Sequence, residues 1–298
     1  MKRRSVMQLI GGAGAALAAP VISAPAITAP AIIGRAARAA TAFDPKNPDH
    51  ISMAHRKLVY SADGNVTFTW LRAMRYALID SAFTPLWELH SGVMFRTVDK
   101  PDGTYEVHAI NAIYYTDLET EKFIENFKNP WTGQTVTFLY ARPEAPKPSV
   151  RVTHFGKTGP MGEEGAPPAG MKRAVENRKI GPAWAVGDQI WLRADSVSRF
   201  EPTEPGKRMS QVNDWLTYSG SVSAVMDPAV KNPACTQVFN DINTFPGWFG
   251  MEDRPGNYVG RGFGAKVFKF DDMPKIWRDI FVAKNPAIAK DPKAALGA

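Results

Sequence analysis

Six polar residues suited to proton transfer, Glu88, His90, Arg96, Glu106, His108 and Tyr114, fall on two alternating runs, Pro85 to Val98 and Thr104 to Thr116. Between the runs lies Asp99-Lys100-Pro101-Asp102-Gly103. Proline presets one turn angle there and glycine supplies a positive φ, so the pair reads as a β-hairpin. If Val98 pairs with Thr104, Glu88 faces Tyr114, His90 faces Ala112, Met94 faces His108 and Arg96 faces Glu106. Alternation along the strands then places all six polar residues on one side. Trp87, Leu89, Val93, Phe95, Tyr105, Val107, Ile113 and Tyr115 take the other. Imidazole titrates near neutrality and phenol can donate to a developing oxyanion, so this set suits acid–base chemistry without a cofactor. His90, His108, Tyr114 and Glu88 are the candidate catalytic residues, and Arg96 is a candidate ligand contact.

Two readings of the polar side compete. In the first the apolar side is core, the polar side meets water, and Arg96–Glu106 is an ordinary cross-strand pair. Half-buried antiparallel sheets usually alternate in this way, which favours the first. In the second the polar side looks into a barrel lumen and meets a ligand.

Other chemistry finds little support. His90 and His108 are offset along their strands, and the chain lacks His-x-His, His-Glu-x-x-His and Cys-x-x-Cys, so no metal site is expected. Gly260-Arg261-Gly262-Phe263-Gly264 leads into a strand-like run instead of a helix, which argues against a dinucleotide loop and for a bend in a sheet. No serine sits in Gly-x-Ser-x-Gly or Ser-x-x-Lys. Cys235 is the sole cysteine, read as a buried bystander, so the fold needs no disulfide and no cofactor is expected. Asn129-Pro130-Trp131-Thr132-Gly133 has two readings: a turn whose Trp131 plugs a barrel end, or a ligand mouth lined by Asn129 and Trp131. Trp248, beside Phe249 and Met251, is either core or part of an aromatic binding box. Asn129, Trp131 and Trp248 therefore join Arg96 as candidate ligand contacts.

The elements that must position these residues are strands. From Val66 onward the pattern alternates in twos and turns are dense. Strands are expected at Val66–Ile79, Pro85–Val98, Thr104–Thr116, Gln134–Ala141, Val150–Gly156, Ile180–Val186, Gln189–Phe200, Met209–Val225, Thr236–Phe239 and Asn257–Phe270. Asp117–Lys128 reads as a turn and short helix, and Met273–Ala283 as the clearest helix, with a tail that frays after Pro292. Thr158–Met171, rich in Gly and Pro, reads as a long loop and candidate lid. The fold class expected is mainly β: an antiparallel β-barrel or strongly curved sandwich with one short internal helix and a C-terminal helix, a single domain over 43–298.

Residues 1–42 read as an address. Arg3-Arg4 followed by Ser5, Val6, Met7, Gln8 and Leu9 fits the twin-arginine pattern, which a receptor reads. The uncharged stretch from Leu9 to Ile33 carries Pro20, Pro25 and Pro30, which argues against a spanning helix. Small-x-small sites at Ala37-Arg38-Ala39 and Ala40-Thr41-Ala42 place the mature start near Phe43. The twin-arginine translocase is the expected partner during export, and the periplasm or exterior the expected location. This leader holds five of the 36 basic residues and none of the 29 acidic ones, so the remainder carries 31 against 29, a formal +2 instead of +7. Near-neutrality without a basic run leaves no electrostatic footprint for nucleic acid.

Two segments carry a resemblance. Tyr115-Thr116-Asp117-Leu118-Glu119-Thr120 through Asn129-Pro130-Trp131-Thr132-Gly133-Gln134-Thr135-Val136, together with Pro246-Gly247-Trp248-Phe249-Gly250-Met251-Glu252-Asp253-Arg254-Pro255-Gly256, resembles the bacterial domain-of-unknown-function family numbered 1838. The resemblance spans most of residues 43–298, is most specific at Asn-Pro-Trp-Thr-Gly, and implies membership without implying a reaction. It departs at Ala141-Arg142-Pro143-Glu144, where many members resemble Asn-Asp-Pro-Val. A ligand contacted by that loop would therefore differ in this branch. With eight tryptophans and eight tyrosines and no cofactor motif, the expected function is binding of a small apolar or aromatic molecule in a barrel pocket. Cofactor-independent chemistry of lyase or isomerase type is one form of it. A non-catalytic binding or structural protein of the cell envelope is the alternative.

Overall fold

The computed structural model describes residues 42–142, 147–156, 159–164, 170–205, 208–251 and 254–297. Apart from Ala42, the expected leader lies outside the described residues. So do Pro143 and Glu144 of the departing loop, Glu252 and Asp253, and Thr158 and 165–169 of the expected lid.

In chain order the elements are α1 (Pro48–Val59), β1 (Thr67–Ile79), β2 (Ala82–Asp99), β3 (Tyr105–Thr116), β4 (Asn126–Lys128), β5 (Thr135–Thr137), β6 (Arg151–Gly156) and β7 (Gly159–Glu164). Then come β8 (Met171–Val186), β9 (Gln189–Pro202), β10 (Ser210–Ser221), α2 (Val222–Met226), β11 (Thr236–Asn243), β12 (Asn257–Val267), α3 (Lys275–Lys284), α4 (Pro286–Lys290) and α5 (Pro292–Ala295). Ten strands form one antiparallel sheet in the order β7-β6-β3-β2-β1-β12-β11-β10-β9-β8, which curls until its edge strands β7 and β8 meet. The result is a nearly closed barrel, as the alternation predicts. Gly260, Gly262 and Gly264 of β12 sit opposite Arg75, Ala73 and Leu71 of β1. A Cβ on Gly264 would lie 1.9 Å from the Trp70 carbonyl, and one on Gly260 1.9 Å from Arg75 Nη1. Those glycines let the Trp70 and Arg72 carbonyls and the Arg75 side chain approach β12 closely.

Side chains of Ala73, Leu89 and Phe239 meet Leu71, Ile113 and Leu216, so residues from β1, β2, β3, β10 and β11 converge and point inward. α1 closes one end: Leu58 packs beside Ile190, Leu192 and Tyr218, and His55 meets Tyr60 and Tyr218 edge-on and Phe155 at a tilt. Asn47 accepts from Asp49 N at 2.9 Å and Pro48 stands at the first helical position, a good start signal. The helix escapes a reading by apolar period because its buried face includes His55 and Lys57. Lys57 Nζ donates to the Val225 and Asp227 carbonyls, and Lys266 Nζ to those of Lys57 and Tyr60 at the end of α1. Both amines act as cationic caps on helix ends. No helix among the described residues is long and apolar enough to cross a membrane.

Four local expectations need correction. The β2–β3 register pairs Val98 with Glu106 and Glu88 with Thr116. Thr104 belongs to the turn, bonded through N and Oγ1 to Asp102 Oδ1, while Lys100 N donates to the Thr104 carbonyl. A slip of two residues keeps every face and changes every partner. Asp117–Lys128 is not helical: Asp117 Oδ1 accepts from Glu119 N, Thr120 N and Thr120 Oγ1, and Glu121 takes φ +53°. That side-chain turn competes with a helix and leads into β4. The expected lid contains β7, paired with β6. The tail does not fray: Leu296 is fully buried against Ile110, Tyr114 and Phe281.

Candidate functional site

The inward side of the β2–β3 hairpin is filled. Trp87 is fully buried, with the rings of Phe127, Phe138 and Phe249 between 4.7 and 5.3 Å of it. Beside this aromatic packing lies a lumen charge cluster that sequence reasoning missed. Arg75 Nη1 donates to Asp241 Oδ1 at 2.6 Å, Arg75 Nε to Tyr258 OH at 3.1 Å, and Asn243 Nδ2 to Asp241 Oδ2 at 2.9 Å. Asp214 is the cross-strand neighbour of Asp241. Burial, and then the Asp241 charge, push its carboxyl up to about 6, against the pull of Arg75 and Arg178.

The outward side carries the six predicted polar residues; α3, α4 and α5 pack over its middle, where His90 and Tyr114 are buried, while Glu88, Arg96, Glu106 and His108 stay partly exposed. Trp277 seats on it: its indole Nε1 donates to the Ala112 carbonyl at 2.9 Å, and a Cβ on Gly92 would lie 2.2 Å from the ring. Beneath this cover the candidates separate into three groups. Glu88 accepts from Arg72 Nε at 2.6 Å and stands 3.4 Å from His90 Nε2, which lies 3.0 Å from Thr116 Oγ1. Burial lowers the proton affinity of His90, and Glu88 opposes it, leaving a lowered pKa. His108 meets the chain end, with Nδ1 3.0 Å from the Leu296 carbonyl and Nε2 3.2 Å from Glu106 Oε2, while Arg96 Nη1 donates to the Gly297 carbonyl. Tyr114 accepts from Asn285 Nδ2 at 3.2 Å, leaving its own proton available, and burial pushes the phenol well above its ordinary pKa. His90 and Tyr114 are direct cross-strand partners, yet no hydrogen bond joins them.

Asn129 and Trp131 belong to the plug at the barrel end opposite α1. Asn129 is fully buried; its Oδ1 accepts from Trp131 N and Thr132 N, and its Nδ2 donates to the Phe249 carbonyl at 2.9 Å. Arg254 Nη2 donates to the Trp131 carbonyl at 3.2 Å. The two segments that carry the family resemblance, far apart in sequence, thus clasp each other.

Two cavities reach the candidate residues. β6 pairs with β3 only from Tyr105 to Ala109, so the edge beyond Ala109 is left open. There a cavity of about 500 Å³ is lined by Tyr114, Tyr115, Tyr140, Trp248 and Asn285, with Arg142, Lys147, Arg151 and Lys284 among its remaining walls. A second, of about 210 Å³, is lined by His90, Arg72, Trp70, Phe263 and Trp277. Ligand pockets typically span ~300–1,000 Å³, so the first has room for a small organic molecule and the second falls short. Among the predicted residues, Tyr114 and Trp248 line the larger cavity and His90 the smaller. Glu88, Arg96, His108, Asn129 and Trp131 line neither. Tyr140, Arg142, Arg151, Lys284 and Asn285 went unread as site residues, although the departure from the family pattern at Ala141-Arg142 points to this wall. No group of three or more His, Cys, Asp or Glu among the described residues has the geometry to hold a metal ion. No family model, no curated protein and no solved structure matches the chain.

Proposed function

We propose that the protein binds a small aromatic molecule in the cavity at the open edge of β3. The observation that carries this reading is a cavity of about 500 Å³ walled by Tyr114, Tyr115, Tyr140 and Trp248. Tyr140 and Phe138 lie parallel, 5.7 Å apart, and Tyr114 meets Tyr140 edge-on at 5.4 Å, so the ring wall is built before a ligand arrives. Tyr114 supplies a phenol proton at the cavity, and burial keeps it a donor across the working pH range. Thermal denaturation against a panel of aromatic compounds tests the reading. A ligand at ~100 times its Kd adds ~2.7 kcal/mol, or roughly 5–10 °C for a chain of this size. Absence of any shift across the panel contradicts it.

A second reading, proton-transfer catalysis without a cofactor, rests on His90. The imidazole is held between Glu88 and Thr116, is biased toward its neutral form, and borders the smaller cavity. Turnover abolished by His90→Ala, with unchanged ligand-induced stabilisation, supports it. Membership of family 1838 and export by the twin-arginine route belong to the same proposal. The first rests on the resemblance of the two segments in sequence, the second on Arg3-Arg4 and the proline-bearing stretch that follows. Arg3→Lys with Arg4→Lys should stop export; continued delivery would assign the leader to the general secretory route.

A further inference from the structure

Among the described residues, the charged side chains that line the larger cavity are all of one sign. Arg142, Lys147, Arg151 and Lys284 line it, and no described carboxylate does. The chain from residue 43 onward is near-neutral, so this excess is local and not the overflow of a basic surface. Lys284 is partly answered by Glu125, whose Oε1 lies 3.0 Å from Nζ. Arg142 Nε donates to the Thr137 carbonyl at 3.1 Å, which fixes the arm and leaves the rest of the guanidinium to other acceptors. Among the described residues, no carboxylate forms an ion pair with Arg142, Lys147 or Arg151. Cations gathered without counter-charge beside low-dielectric ring walls focus field on an anion and repel a cation. The Tyr114 proton and the Asn111 and Ser149 side chains add neutral polar groups around the same space.

We infer that the ligand is an aromatic carboxylate, its ring against Tyr114, Tyr140 and Trp248 and its carboxylate toward Arg142, Lys147 and Arg151. This rests on the binding reading above and adds the charge of the ligand to it. Guanidinium groups favour carboxylates because their fork matches two oxygens.

Calorimetric titration with 2-naphthoate and its uncharged counterpart 2-naphthalenemethanol tests the inference on the full chain. The naphthoate should bind at least about tenfold more tightly, and the advantage should shrink at ~1 M salt, where screening reaches ~3 Å. Lys147→Gln combined with Arg151→Gln, two exposed positions, should weaken naphthoate about tenfold and change the alcohol less than about twofold. Circular dichroism and the melting temperature of the variant check that it folds. Equal affinity for both probes, or an equal loss of both in the variant, overturns the anion inference and leaves the binding reading standing. Binding of neither probe at millimolar concentration overturns both.

Discussion

The inner and outer sides of the β2–β3 hairpin each bury their central residues, by different means. Inward, Trp87 is enclosed by rings drawn from the plug and neighbouring strands. Outward, His90 and Tyr114 are buried by one late segment, and its end carbonyls at Leu296 and Gly297 meet His108 and Arg96. Alternation therefore reveals which way a side chain points and says nothing of what lies over it. A polar strand face is wet only if no later element covers it, and here that element lies more than 150 residues downstream of the hairpin.

The comparison can be broken by removing the anchor of each side. Trp87→Ala and Trp277→Ala each delete a fully buried indole, at ~3–5 kcal/mol apiece. They should differ in reach. Trp87→Ala should lower the whole melting transition, whereas Trp277→Ala should also free residues 275–297 to proteolysis while β2 and β3 stay protected in hydrogen exchange. Uniform loss of protection in both variants would mean that the two sides form one cooperative core.

Titration sharpens the comparison between the α1 end and the lumen. Burial holds His55 down to about 4, below its ordinary 6.5, so the stability it contributes is present above pH 6.5 and is lost as pH falls toward 4. Asp214 runs the opposite way: raised from 3.8 to about 6, its contribution is present below pH 4 and is lost as pH rises through 6. Each amounts to at most about 3 kcal/mol and the two oppose each other between pH 4 and 6. Relative to the native chain, His55→Phe should gain stability at pH 4, and Asp214→Asn should gain it at pH 7. Denaturant unfolding across pH reads both, and identical profiles for all three proteins would refute the assignment.

A smaller effect is expected in the plug. Asn129→Ala removes the acceptor for Trp131 N and Thr132 N and the donor to Phe249, at a cost of ~1–3 kcal/mol. Ligand affinity should stay within about twofold, since Asn129 lines neither cavity. A large loss of affinity would move the site to the barrel end.

Much of the barrel is legible because its signals are local. Val66–Ile79 and the Pro101-Asp102-Gly103 turn announce themselves by alternation and backbone geometry. The register was missed by two residues because Asp102 captures Thr104 for the turn, a side-chain bond that pattern does not encode. α1 stayed hidden behind His55 and Lys57, polar residues whose burial depends on Tyr218 and Val225, over 160 positions away. The candidate site was half legible: Tyr114 and Trp248 stood out by type, whereas Arg142, Arg151 and Lys284 meet only because the sheet curls and the C-terminal helices dock.

Hydrogen exchange of the full chain with and without saturating 2-naphthoate tests the central claim most directly. The account predicts added protection confined to residues 111–115, 139–142, 147–151, 248 and 284–285, the stretches that wall the larger cavity. Protection centred instead on residues 70–72, 90–91 and 274–277, around the His90 cavity, would contradict it.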